Sequence, residues 1–204
     1  MSSKESQIKI DFTNPFRMLF ELRNGISPHS APTRRKLSNM KGMYADINAF
    51  SDMVKNEDPL VYEFYELGAP ANSGDVAFGT SIIYPGKVGN EYFMTKGHFH
   101  SIIDTAEVYL CLSGQGVMLM ETPEGDWHVE EFLPGAAVYC PKRYAHRSIN
   151  TGRIPLVTFF AFRADAGHDY GSIESRGFRK LMIESNGNPM IIDNINWKTN
   201  KRET

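Results

Sequence analysis

The chain has 204 residues, 41% of them hydrophobic, which suits one globular domain with a sizeable core and some terminal decoration. A formal net charge of -2 and the lack of a basic run leave no phosphate-backbone footprint, so nucleic acid is excluded as a partner; the short cluster Arg34-Arg35-Lys36 lies in a Pro/Ser-rich stretch and reads as solvated loop. No apolar run can cross a bilayer, the polar start Met-Ser-Ser-Lys-Glu-Ser has no leader-like apolar core, and Cys111 and Cys140 sit in apolar surroundings, so a cytoplasmic protein with two buried free thiols and no membrane partner is expected.

In chain order, the first forty or so residues lack periodicity and are broken by Pro15, Gly25, Pro28 and Pro32. From 41 to 58 the spacing of Met43, Ile47, Phe50, Met53 and Val54 predicts one amphipathic helix, ended by Pro59. Residues 1–59 are therefore expected to form an N-terminal extension packed on a second unit, 60–204. That unit reads as short strands at 60–67, 76–84, 91–100, 107–112, 117–121, 128–133, 136–140, 146–150 and 156–162, cut by Gly/Pro turns such as Pro134-Gly135. Two apolar bursts, 178–183 and 190–195, flank Asn186-Gly187-Asn188 and read as a terminal hairpin. Many short, evenly spaced strands indicate a β-sandwich or barrel.

Residues two apart on a strand share a face, so His98 and His100 project together. Glu107 opens the next strand, with Tyr109 and Cys111 at the same parity, and His146 lies on a later one. Three imidazoles and a carboxylate form a borderline-soft donor set, suited to Fe(II), Mn, Ni, Co or Zn rather than Ca or Mg. A single histidine on a strand is more often packing than ligation, and His128 and His168, each taken alone, are read as non-ligands.

Two longer motifs carry a resemblance. HFHSIIDTAEVYLCLSG (98–114) and GAAVYCPKRYAHRSIN (135–150) are similar to the paired motifs of the cupin superfamily, with Arg143 where a Gly is usual and a longer gap between His100 and Glu107 than in the common pattern. That gap, together with YFMTKGHFH, FGTSIIYPGKVG, TPEGD and ADAGHDYG, resembles the cupin-type glucose-6-phosphate isomerases from about residue 60 onwards. The resemblance implies a mainly β cupin fold (a double-stranded β-helix or jelly-roll barrel) with a short helical extension. It implies one divalent ion per subunit on His98, His100, Glu107 and His146, most readily Fe(II), and a homodimer.

It also implies a reaction, the aldose–ketose interconversion of glucose 6-phosphate and fructose 6-phosphate in glycolysis and gluconeogenesis. Hydrogen moves between C1 and C2 through an enediol with a general base, or as a hydride shift beside a Lewis acid. Glu107, His98 and His146 are the catalytic candidates; Glu107 is also a ligand, which weakens it as a base. Thr95 and Gly97 offer a hydroxyl and a closely approached N–H to phosphate oxygens. Matching positions of the family add Ser81 (for a Thr), Tyr62, Tyr109, His168 and Tyr170, while Phe162 replaces a Tyr. Lys96, at the opposite parity from Thr95 and Gly97, is expected to face away. The donor set alone also fits a cupin dioxygenase, a mannose-6-phosphate isomerase or a non-catalytic sugar-binding cupin.

Overall fold

Runs rich in β-branched and aromatic residues, punctuated every few positions by Gly or Pro, satisfy their backbone polar groups by pairing with one another. The computed structural model describes residues 11–67 and 72–198. Its elements in order are β1 (Thr33–Lys36), a 3-10 turn (Leu37–Met40), α1 (Ile47–Asn56), β2 (Leu60–Glu66), β3 (Val76–Ile83), β4 (Lys87–Val88), β5 (Glu91–Tyr92), β6 (Glu107–Ser113) and β7 (Gly116–Glu121). Then follow β8 (Trp127–Phe132), β9 (Ala137–Cys140), β10 (Ala145–Asn150), β11 (Leu156–Arg163), α2 (Gly171–Arg176), β12 (Lys180–Ser185) and β13 (Asn188–Asp193).

The strands form a six-stranded sheet, β1-β2-β3-β11-β6-β9, a three-stranded sheet, β10-β7-β8, and a four-stranded sheet, β13-β12-β5-β4. Bridges Met94↔Ile149 and His98↔His146, with Thr95 N donating to Ser148 O, join the segment after β5 to β10. The two smaller sheets thereby make one layer. Met118, Met120 and Ile149 from that layer share a buried cluster with Ile83, Tyr109 and Phe160 from the six-stranded sheet. This two-layer antiparallel barrel is the cupin architecture that the motifs imply. Strand parity holds along β6, where Glu107, Tyr109 and Cys111 are buried and Val108 and Leu110 exposed. Cys111 and Cys140 are buried and unpaired.

Several local expectations are corrected. Arg34-Arg35-Lys36 is not loop: β1 pairs antiparallel with β2, and Arg34 Nε lies 2.9 Å from Glu63 Oε2. Charged residues are a common way to blunt a sheet edge, which makes such a strand read as solvated. The helix begins at Ile47, because Asp46 caps it by accepting from Ala49 N at 2.9 Å. Met43 and Tyr44 lie ahead of it, buried in the same core as the barrel strands. The strand expected at 91–100 pairs regularly only over Glu91–Tyr92 and then continues as single bridges, bent at Gly97 (φ 74°). The terminal hairpin turns on Asn186-Gly187 alone (φ 51° and 79°), a left-handed pair suited to a two-residue turn. The short helix α2 was not foreseen.

Candidate metal centre

Each ligand candidate owes its direction to its local backbone. Glu107 opens β6 on the inward parity, and His146 is the second residue of β10. His98 and His100 flank Phe99 just after the bend, where His98 N donates to His146 O and Phe99 bridges Asp169. The ligand atoms of His98, His100, Glu107 and His146 all lie within 4.8 Å of one another. His100 Nε2 is 3.1 Å and His146 Nε2 2.9 Å from the same oxygen, Glu107 Oε2.

The far side of two rings is already committed. His100 Nδ1 lies 3.1 Å from Thr105 O and 2.7 Å from Thr105 Oγ1, and His146 Nδ1 lies 3.3 Å from Tyr144 O. A ring whose Nδ1–H donates to a carbonyl presents a lone pair at Nε2. Those lone pairs face a carboxylate, acceptor against acceptor, while His98 Nε2 and His146 Nε2 are buried without a hydrogen-bond partner among the described residues. Such a cluster is costly without a cation among the donors. The residues therefore fit a divalent ion.

Electrostatics agree. Burial, then His146 and His168, hold the His98 imidazole well below its usual pKa. Burial alone would raise the Glu107 carboxyl, but positive charge on the His146 and His100 side outweighs it, so a cation shared among these donors, whether proton or metal, is what keeps Glu107 ionised. Burial, then Glu107, raises Tyr109 well above the usual phenol range, and burial pushes Tyr170 to about 12. Both phenols are therefore donors at neutral pH.

A cavity of about 220 Å³ opens on this cluster. The structure brings to its wall Tyr62, Ser81, Thr95, Gly97, His98, Glu107, Tyr109, His146, His168 and Tyr170, while His100 sits behind them. Thr95 Oγ1 accepts from Ser148 N at 3.1 Å, which leaves its own proton to donate. Ser81 Oγ lies 2.9 Å from Thr158 Oγ1. The His168 ring stands 4.3 Å from that of His98 and stacks on Tyr170 at 5.8 Å. Phe160 and Phe162 supply apolar wall. His128 lies apart from the ligand group, beside Tyr144.

Sequence reasoning missed five lining residues. Glu66 continues the Tyr62, Phe64 parity on β2, and Ser148 continues that of His146 on β10, so parity alone could have found both. Phe64 and Phe160 carry no chemical signal, because an aromatic hydrocarbon on a strand is ordinarily packing. Lys96 was set aside by a parity that Gly97 breaks; it lines the cavity and its Nζ lies 2.8 Å from Glu174 Oε1.

Residues 34–198 match the family model described as glucose-6-phosphate isomerase (GPI). The chain is 46% identical over 187 residues to the glucose-6-phosphate isomerase of Thermococcus litoralis, covering 92% of this chain and 98% of that one. Its identity to the enzyme of that name from Pyrococcus furiosus is 44%, covering 92% and 99% of the two chains. With that of Sinorhizobium medicae it is 38%, covering 87% and 85%. Among solved structures, Bacillus subtilis oxalate decarboxylase superposes with a TM-score of 0.41 at 22% identity, over 52% of this chain and 26% of that one, too slight a likeness to build on.

Proposed function

Since the chain belongs to the glucose-6-phosphate isomerase family, we propose that this cavity interconverts glucose 6-phosphate and fructose 6-phosphate with the help of one divalent ion. His98, His100, Glu107 and His146 would hold the ion, with Fe(II) the preferred occupant. The observation that carries this reading is the meeting, in one cavity, of an acceptor-only ligand cluster and a hydroxyl-rich wall. When bound, the ion would polarise the two substrate oxygens between which the carbonyl moves.

The chain's own groups do the rest. Thr95, Ser81, Tyr62 and Tyr170 present hydroxyls, and Gly97 a backbone N–H, for the phosphate. Tyr109, kept protonated beside Glu107, donates to a substrate oxygen. His168, neutral at physiological pH because burial lowers its pKa, can accept or donate one hydrogen bond to a sugar hydroxyl. Glu107 is held too acidic to be a strong base at neutral pH, so its first work is to complete the donor set with His98 and His146 close to the reacting carbons. Phe160 and Phe162 limit water around them.

The test is an isomerase assay in both directions on protein purified without chelator, alongside metal analysis. Turnover that follows metal content, lost together with the metal in His146→Ala, is the expected result. Metal-loaded wild-type protein that leaves fructose 6-phosphate unchanged would sink the reading.

We also propose a cytoplasmic homodimer. No helix among the described residues is long and apolar enough to cross a membrane, and two unpaired buried thiols suit a reducing compartment. Val108, Leu110 and Tyr139, 39%, 37% and 64% exposed, leave an apolar outer patch at the β6–β9 edge of the large sheet, suited to a second copy. Sedimentation should show a dimer that Tyr139→Asp shifts toward monomer; an unmodified chain sedimenting as monomer at micromolar concentration refutes it.

A further inference from the structure

We infer that Arg147, which does not face the cavity, is a positioning residue for phosphate: it aims the Gly97 N–H into the site. This rests on the reading of the cavity as a sugar-phosphate site. Consecutive residues on β10 point to opposite sides, so His146 faces the ligand cluster and Arg147 the other way. Arg147 is only 2% exposed. Its Nη2 and Nε donate to a single oxygen, Lys96 O, at 2.6 and 3.2 Å. The guanidinium carbon lies over the Phe178 ring, 4.4 Å from its centroid, and Nη2 also meets Met43 Sδ at 3.6 Å. A planar group pinned on three sides has little freedom to leave its acceptor.

The peptide that follows carries the consequence. Lys96–Gly97 is trans, as are all described peptides, so its N–H points opposite to its C=O. Arg147 draws the carbonyl away from the cavity, and the Gly97 N–H must then face toward it. That N–H donates no hydrogen bond among the described residues, and Gly97 lines the cavity. The bend is locked from behind as well. Gly97 has φ 74°, and a Cβ there would come within 2.6 Å of Phe178 Cε2. Arg147 thus fixes the orientation of one amide, and by pulling on the carbonyl it makes the N–H of the same peptide a better donor.

Two measurements test this. In zinc-loaded, 15N-labelled wild-type protein titrated with inorganic phosphate, the Gly97 amide proton should move downfield to saturation. In steady-state kinetics, Arg147→Met should raise KM for fructose 6-phosphate about 10- to 100-fold, the loss of a hydrogen bond to a charged group. In this variant kcat should fall much less, and the bound metal should be retained. Arg147→Lys, which keeps the charge but not the fork, should fall between. Folded Arg147→Met with wild-type KM overturns the proposal; if that variant does not fold, the wild-type titration decides. An unmoved Gly97 amide in a chain that binds phosphate and isomerises overturns this inference alone. A wild-type chain that neither binds phosphate nor isomerises overturns the functional reading and this inference together.

Discussion

Arg143 occupies the place where the resembling motif usually has Gly, and its φ of 71° gives the reason. A side chain in the left-handed region costs about 1–2 kcal/mol. The compensation is small: Arg143 Nη2 lies 3.0 Å from Glu124 Oε1, but the two side chains are 44% and 55% exposed, and exposed pairs contribute little. Arg143→Gly should therefore stabilise the protein by about 0.5–1 kcal/mol, a rise of about 1–4 °C in the melting temperature. Urea or thermal unfolding measures it, and a variant no more stable than the parent shows that Arg143 is not strained. At this scale the sequence was readable where a residue type has one job. The proposed ligands His98, His100, Glu107 and His146 have chemistry that announces itself. Arg147 was not readable, since its role lies in a hydrogen bond to the backbone of a residue fifty-one positions earlier.

At the scale of elements, strand parity was the dependable guide and bends were its limit. Along β6 and β10 alternation put Glu107, Tyr109 and His146 on the inward side. Between β5 and β6 the chain pairs only through single bridges and bends at Gly97, so parity gave the wrong side for Lys96. The apolar spacing that includes Met43 suits a helix, yet Gly42 at φ 82° precedes it and Asp46 caps only from Ile47. Met43 and Tyr44 instead enter the core behind β5, and Ala45 N donates to Glu91 Oε2 at 3.0 Å. Glu91 Oε1 has no hydrogen-bond partner among the described residues, and burial raises this carboxyl to about 7 against the opposing effects of Ala45 N–H and Arg147.

A carboxyl whose pKa is higher folded than unfolded holds its proton more tightly in the native state. Its contribution is full below the unfolded value of 4.5 and is lost as pH rises toward about 7. Over that window Glu91 should cost the wild type on the order of 3 kcal/mol relative to Glu91→Gln. Denaturant unfolding of both proteins at pH 5, 6, 7 and 8 reads it out. Two stability curves that run parallel across this range show that Glu91 stays ionised in the folded protein, with Arg147 as an adequate counter-ion.

For the molecule as a whole, the proposed ligand set would also be a staple. Glu107 belongs to the six-stranded layer, His146 to the opposite layer, and His98 and His100 to the segment that links β5 to β6. The sequence separates these side chains by up to 48 positions, the span from His98 to His146, and only pairing of the strands closes the set. The motifs made its composition legible; its closure, and the acceptor-against-acceptor contacts around Glu107 Oε2, were not, because they depend on which strands become neighbours. An ion bound there binds the folded chain and finds no such set in the unfolded one. At a free concentration 100 times its dissociation constant it stabilises by about 2.7 kcal/mol, or about 5–10 °C for a chain of this size. Adding Mn or Zn to chelator-treated protein should raise the melting temperature by that amount, in a concentration-dependent way, and EDTA should reverse it. Replacement of one ligand should remove the response, so His146→Ala should melt at the same temperature with and without the ion. A wild-type melting temperature insensitive to every divalent ion tried would mean that His98, His100, Glu107 and His146 form a protonated polar cluster instead of a metal centre.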